Sequence, residues 1–336
     1  MKVFEPASAS LEEWKAYHDF RHHRHLEESP EDPETPDDVV ERRLRRGDPY
    51  MADHRWLVFR DGRVVAELYA GTMTPLSPEY ETNKHLLFAE GWVLAEARRQ
   101  GIGSGWIPVL VQLMERYGAR LLTVDTHDET GHAFLRRLGS EPRYSEAESR
   151  LDLREVDWDM VAGWVREGEA RSPGTHMELY PNRLPEERRE EFTRVGTELL
   201  NTMPFEGLDH GDIVQTTDTL NEWYGRLDMF GSQHHVCLTR ESDGTISGMT
   251  DVVKHPYEPG FVHQFFTGVR PSARGRGLGK WLKAAMLVHV RAVHPETIFI
   301  TTENAGSNAS MLAINHAMGF RRFRVSSTYQ LGLQEL

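Results

Sequence analysis

Apolar positions along the chain follow two rhythms, and the same succession of rhythms occurs twice. The segments HLLFAEGWVL at 85–94 and FVHQFFTGV at 261–269 are short apolar runs that predict strands. Each passes through a glycine-rich turn into a stretch, WIPVLVQLMERYG or WLKAAMLVHVRAV, whose apolar residues recur at mixed i, i+3 and i+4 spacing and predict a helix. A β-branched run follows in each half, LLTVDT at 121–126 and TIFITT at 297–302, and then a short helix ending in Leu138-Gly139 or Met318-Gly319-Phe320. Upstream, residues 55–71 and 234–253 each place β-rich runs on both sides of an Asp-Gly pair, the mark of a hairpin. Polar helical sequence precedes each hairpin. In the first, Ser10 is the candidate N-cap with Glu13 three residues on; in the second, Pro185 stands before Glu186 and Glu187.

The two halves keep step. Gly101 and Gly277 stand 176 residues apart, and Gly139 and Gly319 stand 180 apart, in a chain of 336 residues. That agreement predicts a tandem duplication, with domains at 1–155 and 156–336 and a connecting segment, 156–175, holding one helix before Ser-Pro-Gly. The acidic, proline-containing stretch 28–38 reads as a solvated loop between helices.

Composition narrows the partners. With 39 Lys+Arg against 52 Asp+Glu, the net charge of -13 argues against nucleic acid, whose phosphates need a basic face. A single cysteine, Cys237, excludes an intrachain disulfide and a Cys-rich zinc site, and it suits a cytoplasmic location. The chain has no apolar run long enough for a membrane span, so no membrane partner is expected. His18, His22 and His25 share one helical face, a spacing able to hold zinc, yet Arg21 and Arg24 interleave and no close carboxylate completes the set. A polar face without metal is the expectation, with Trp14, Tyr17 and Phe20 on the core side.

The glycine turns, Arg98-Arg-Gln-Gly101-Ile-Gly103 and Arg274-Gly275-Arg276-Gly277-Leu278-Gly279, do not fit a P-loop, because Lys280 is followed by Trp281 and the glycine spacing is short. They also lack the third glycine of a dinucleotide fingerprint. What remains is a turn whose backbone N–H groups converge on a pyrophosphate at a helix N-terminus, with Arg98, Arg99, Arg274 and Arg276 adding charge.

This Arg-x-x-Gly-x-Gly motif, twice between strand and helix, resembles the acetyl-CoA loop of the GNAT superfamily of N-acetyltransferases. The overall plan is similar to tandem members such as mycothiol synthase. The resemblance implies an α/β (α+β) fold of two tandem domains, each a mixed, mostly antiparallel sheet flanked by helices. It also implies acetyl-CoA as co-substrate, held by Arg274, Gly275, Arg276, Gly277, Leu278, Gly279, Lys280 and Asn308, with Val269 offering a backbone N–H to the thioester carbonyl. In the first copy the matching positions are Val93, Arg98, Gly101 and Gly103, while Asp128 replaces the asparagine. The C-terminal copy is therefore expected to be the active one.

Eleven residues before Arg274, the position of a base in some members, stands His263; in the first copy the same count reaches Leu87, and the candidate is Glu90, on the opposite strand face by parity. The family's usual tyrosine acid is replaced by Asn315 and Leu135. The segment 201–210 reads as a solvated loop, and its Glu206 and Asp209 are also suited to holding an amine. The expected activity is direct acetyl transfer to a primary amine of a small molecule or peptide; the alternative is a non-catalytic acyl-CoA-binding or regulatory protein.

Overall fold

The computed structural model describes residues 1–205 and 207–336, so Glu206 lies outside the described residues. The chain forms two compact units, residues 1–144 with 207–212 and 327–336, and residues 145–205 with 213–326.

The first unit contains β1 (Lys2–Val3), α1 (Leu11–Glu28), α2 (Asp37–Arg46), β2 (Met51–Arg60), β3 (Arg63–Met73), α3 (Tyr80–Asn83), β4 (Leu86–Val93), α4 (Ile102–Tyr117), β5 (Leu121–Thr126) and α5 (Glu129–Arg137). A capping box starts α1: the Glu13 N–H donates to Ser10 Oγ at 3.3 Å and the Ser10 N–H to Glu13 Oε2 at 2.8 Å. The helix buries Trp14, Tyr17 and Phe20 against Phe4, Val40, Leu57 and Leu94. Asp61 and Gly62 both take positive φ, 47° and 78°, which gives the two-residue hairpin turn the twist its strands need. The other face of this sheet, through Ala66, Leu68, Leu87 and Ala89, packs on Trp106, Leu110 and Met114 of α4. Gly91 permits that approach, because a Cβ there would come within 2.4 Å of the Trp106 ring. The solvated-loop expectation for 28–38 needs revision at its end, where Asp37 already begins α2, an amphipathic turn of helix that buries Val39 and Val40.

The second unit contains the later part of β6 (Pro142–Asp152), α6 (Trp158–Arg171), β7 (His176–Tyr180), α7 (Glu186–Leu200), α8 (Thr217–Phe230), β8 (Gln233–Arg240), β9 (Ile246–Lys254), β10 (Phe261–Val269), α9 (Leu278–Val293), β11 (Phe299–Ala305), α10 (Ala309–Met318) and the start of β12 (Arg321–Gly332). The connecting helix is α6. It lies on α9 so closely that a Cβ at Gly168 would stand 2.3 Å from Trp281. On one face of the sheet α9 packs with Val252, Val262 and Ile300; on the other, α7 and α8 pack with Val236, Leu238 and Val253.

Each sheet is antiparallel except for one parallel pair, β4 with β5 and β10 with β11. The closing strands are exchanged. Residues 327–332 of β12 pair antiparallel with β5, Ser327 opposite Thr126 through Gly332 opposite Leu121, within the first unit. Residues 146–152 of β6 pair with β11, Glu146 opposite Ala305 through Asp152 opposite Phe299, within the second. The 1–155/156–336 division of the sequence therefore does not coincide with the compact units. Among the described residues, no helix is long and apolar enough to cross a membrane, and no group of His, Cys, Asp or Glu is placed to hold a metal ion.

A chain cut at 155/156 removes β12 from one fragment and β6 from the other, and each loss bares a row of backbone donors and acceptors. We expect each fragment expressed alone to lack cooperative thermal unfolding, and the two together to recover it. Two independently cooperative fragments would show that the exchanged strands are dispensable.

Candidate functional site

In both units the parallel pair holds for only part of its length. β10 pairs with β11 from Phe261–Phe299 to Gln264–Thr302, yet β10 runs on to Val269 and β11 to Ala305. An irregularity between Gln264 and Phe266 marks the point of departure and leaves Phe265 53% exposed. β4 likewise pairs with β5 only through Ala89–Val124 and continues to Val93. Beyond these points the strand edges face a gap, and backbone groups directed into it have no cross-strand partner there.

Each parted strand leads into a glycine turn. Gly275 and Gly277 take φ of 80° and 84°; their counterparts Arg99 and Gly101 take 60° and 81°. Added Cβ atoms at Gly275 or Gly101 would meet nothing within 4 Å, so backbone conformation rather than crowding selects glycine, and Arg99 bears the left-handed strain with a side chain. Because α9 starts at Leu278, the N–H groups of Leu278, Gly279 and Lys280 have no intrahelical acceptor, and the helix dipole favours an anion there. Leu278 is buried, a Cβ at Gly279 would touch Ile314 at 3.3 Å, and Lys280 Nζ sits 5.0 Å above the Trp164 ring. The first copy repeats this with Ile102 and Gly103, the latter against Phe134.

The arginines separate the copies. Arg274 Nε donates to the Val269 carbonyl at 3.1 Å, as Arg98 Nε does to the Val93 carbonyl at 2.9 Å. Arg274 then reaches the neutral Thr202 hydroxyl at 3.2 Å, whereas Arg98 lies 3.8 Å from Glu27 and 3.7 Å from Asp128. Arg276, expected to lend its charge to a phosphate, is engaged in this structure by other partners. Its guanidinium donates to Glu241 at 2.9 Å and to Thr175 at 2.5 Å. Desolvation alone would raise the Glu241 carboxyl, but hydrogen bonds from Arg276, Ser247 and Thr175 outweigh it and hold the pKa at about 2. Asn308 caps α10 by accepting the Met311 N–H at 3.3 Å, while Asp128 makes no such cap and accepts from the Thr130 hydroxyl.

His263 lies on β10 with both ring nitrogens engaged. Nε2 is 2.5 Å from Glu258 Oε2, so that nitrogen carries the proton, and Nδ1 is 2.9 Å from Thr301 Oγ1. Glu258, which burial alone would raise, is held below the usual carboxylate range by His263, His255 and Lys254. Asn315 is buried on α10; its Nδ2 donates to Asn304 Oδ1 at 2.6 Å and its Oδ1 has no hydrogen-bond partner. Glu90 belongs to the first unit, where desolvation raises its pKa. Asp209 also belongs there, 3.0 Å from His85, and its N–H donates to Gln330 at 2.8 Å. On α1, His18 pairs with Asp37 and Glu41, and His22 with Glu34.

Sequence reasoning missed Lys283. This fully buried amine on α9 donates to Gln264 Oε1 at 2.5 Å, and Gln264 donates in turn to Thr250 at 2.9 Å and Thr267 at 3.1 Å, directly at the parting of β10 and β11. Desolvation pushes its pKa down to about 7. Its only signal was a lysine inside the otherwise apolar face of WLKAAML.

Residues 196–320 match the acetyltransferase (GNAT) family model. No curated protein sequence matches. Among solved structures, a tandem GNAT protein from the clavulanic acid biosynthesis pathway superposes with a TM-score of 0.75 at 20% identity, over 99% of this chain and 98% of that one. A GCN5-related N-acetyltransferase from Sphaerobacter thermophilus gives 0.61 at 15% identity, over 99% and 95%. The glucosamine N-acetyltransferase region of a fungal multi-domain β-N-acetylglucosaminidase gives 0.65 at 11% identity, over 98% of this chain and 38% of that one. Residues 196–320 thus match the GNAT acetyltransferase family, and the fold along the whole chain is similar to that of tandem GNAT structures.

Proposed function

We propose that the protein is an acetyl-CoA-dependent N-acetyltransferase that acts on a primary amine of a small molecule or peptide, with the C-terminal copy performing the transfer. The observation that carries this reading is the electrostatic contrast between the two glycine turns. Arg274 keeps its charge beside a hydroxyl and a carbonyl, while Arg98 faces two carboxylates that a pyrophosphate would have to displace or tolerate. Leu278, Gly279 and Lys280 then supply backbone N–H groups to the pyrophosphate, Gly275 and Gly277 leave it room, and Asn308 offers its amide nitrogen. Lone Cys237, buried with its thiol pushed up to about 12, suits a reducing cytoplasm and plays no part in the chemistry.

In the transfer, the neutral amine attacks the thioester carbonyl, the carbon–sulfur bond breaks, and the pair of electrons leaves on the thiolate. Negative charge on the carbonyl oxygen is met by N–H groups of the unpaired length of β10 near Val269. The proton lost by the amine has a defined route if His263 accepts it. Nε2–H is fixed toward Glu258, so the accepting atom is Nδ1 and the proton passes through the Thr301 hydroxyl. The departing thiolate is less basic than the amine, so transfer proceeds without the family's tyrosine. Asn315, already donating one amide hydrogen to Asn304, positions the sulfur with the other.

Two outcomes are expected from thiol-release kinetics with purified variants. Arg274→Ala should raise the KM for acetyl-CoA by roughly tenfold, the loss of one charge-assisted contact, whereas Arg276→Ala should change it by less than about threefold because Glu241 already neutralises it. Equal effects at Arg98 and Arg274 would move the cofactor site away from the C-terminal copy. In the pH–rate profile, His263→Ala and Thr301→Val should shift the acidic limb alike, while the wild-type kcat plateau at high pH is kept. A shift in one variant without the other would disprove the Thr301 route.

A further inference from the structure

One stripe of α9 faces the sheet, and it begins at the glycine turn. Gly279 stands first on it, where a Cβ would meet Ile314 of α10 at 3.3 Å and Val269 of β10 at 3.9 Å. Lys283 follows one helical turn later, and Met286, Leu287 and Val290 continue the stripe into the apolar core. On β10, Val262 packs in that same core, and Gln264, two positions on and therefore on the same face, presents its amide to Lys283. Gln264 is also the last residue of β10 that pairs with β11. The lysine thus stands where the strands part, on the stripe that leads from the anion-favouring helix start toward the gap. The first copy has no counterpart, since four residues after Gly103 stands Ile107.

Lys283 is 3% exposed, and among the described residues its amine has one hydrogen-bond acceptor, Gln264 Oε1. That acceptor is itself held in place, because Gln264 Nε2 donates to Thr250 and Thr267. The Phe320 ring lies 5.1 Å from Nζ, and no carboxylate pairs with the amine among the described residues. Burial alone depresses its pKa, with no neighbouring charge acting on it. Lys254, the other buried lysine of this unit, is provided for quite differently. It donates to the carbonyls of Glu258, Pro259 and Phe261 and lies 3.6 Å from Glu296. An ammonium has three donors and a neutral amine two, so Lys283 keeps at least one N–H without an acceptor in a dry place. It lacks an anion, and the gap beside Gln264 is where one can enter.

We propose that Lys283 is the counter-cation of the thiolate that leaves in the transfer, donating to the sulfur of coenzyme A the N–H that Gln264 does not accept. This role rests on the function proposed for the C-terminal copy, in which acetyl-CoA lies in that gap. When the carbon–sulfur bond breaks, the electron pair stays on sulfur, and the substrate amine gives up one proton to solvent. A neutral Lys283 takes one proton from solvent as the negative charge forms opposite it. The product then departs as the thiol with that proton, and Lys283 returns to the neutral amine, so no charge is left over. The groups that face Lys283 are Gln264 from β10 and Phe320 before β12, and neither titrates. An amine that titrates at about 7 and a thiol that titrates at about 8.5 share one proton between those values, and in a dry site their attraction favours the charged pair. Asn315 on α10 fixes the position of the sulfur, and Lys283 on α9 meets its charge.

The test is equilibrium binding to the full chain, at about pH 8 and without an acceptor amine, of coenzyme A and of desulfo-coenzyme A, which differs only in lacking the sulfur atom. Coenzyme A should bind roughly tenfold more tightly than the desulfo analogue, and the ultraviolet band of a thiolate should appear on binding. Lys283→Met keeps the length of the side chain and removes its donors. It should bring the two ligands to equal affinity and abolish the band, with desulfo-coenzyme A bound as tightly as by the wild type. A lysine that only supports the fold would weaken both ligands alike in that variant, and this result would overturn the proposal. Equal binding of both ligands by the wild type, without a thiolate band, would overturn it too, and that measurement needs no variant to fold. Arg274→Ala tests the cofactor site separately, because it should weaken both ligands by the same factor. If neither ligand binds the wild type, the function proposed for the C-terminal copy falls and the role of Lys283 falls with it.

Discussion

The parting of a parallel strand pair is the constraint on which the C-terminal site depends. A strand edge normally finds its donors and acceptors in its neighbour, and β10 has that neighbour only as far as Gln264. Beyond it the edge needs other partners, and the sequence around it is adapted accordingly. Thr250 and Thr267 bond to one another at 2.7 Å, Gln264 joins both, and Lys283 closes the network from beneath. A lysine with so depressed a pKa is a poor choice for a core built for stability alone. It is intelligible where a gap in the sheet must be kept open and polar.

The two copies share a backbone and differ in charge. Both strand ends carry an arginine whose Nε is fixed to the preceding valine carbonyl, so the guanidinium is aimed in the same way in each. What it meets is different, Thr202 in one copy and Glu27 with Asp128 in the other. Arg99 adds a conformational cost where the second copy has Gly275. The turn geometry is thus the same in both copies although a glycine stands at this position in only one, and in each it begins the helix that packs on the sheet.

Features encoded within a short stretch of chain were legible in the sequence. The capping box at Ser10, the Asp61-Gly62 hairpin, strand 261–269 and both glycine turns each state their geometry within a few residues. Features that depend on distant partners were not. The exchange of β6 and β12 leaves no local trace, since either strand would pair as well with another edge. Arg276 reads as a phosphate ligand until Glu241, 35 positions away, is placed beside it. Glu67 is one acidic residue in an apolar strand, and only strand register puts it beneath α1 beside Glu90. His263 was found by counting, but the count could not say that both its nitrogens are taken.

The Glu67 cluster also bears on how the first unit holds together. A buried carboxylate with Arg55 and Tyr17 around it gains Coulomb energy, but it loses hydration on every member, and such groups are often no more stabilising than well-packed apolar residues. Leu57 opposite Glu67 on β2 and the aromatic residues of α1 would accept a leucine at 67 as a continuation of the core they already form. Stability therefore gives no reason for an acid there, and still less for one with an oxygen left bare. The same unit has surrounded Arg98 with carboxylates at the place where its twin keeps a free charge. The two facts point the same way: in the first copy acidic side chains stand both beside Arg98 at the end of β4 and on the face of β3 and β4, at Glu67 and Glu90.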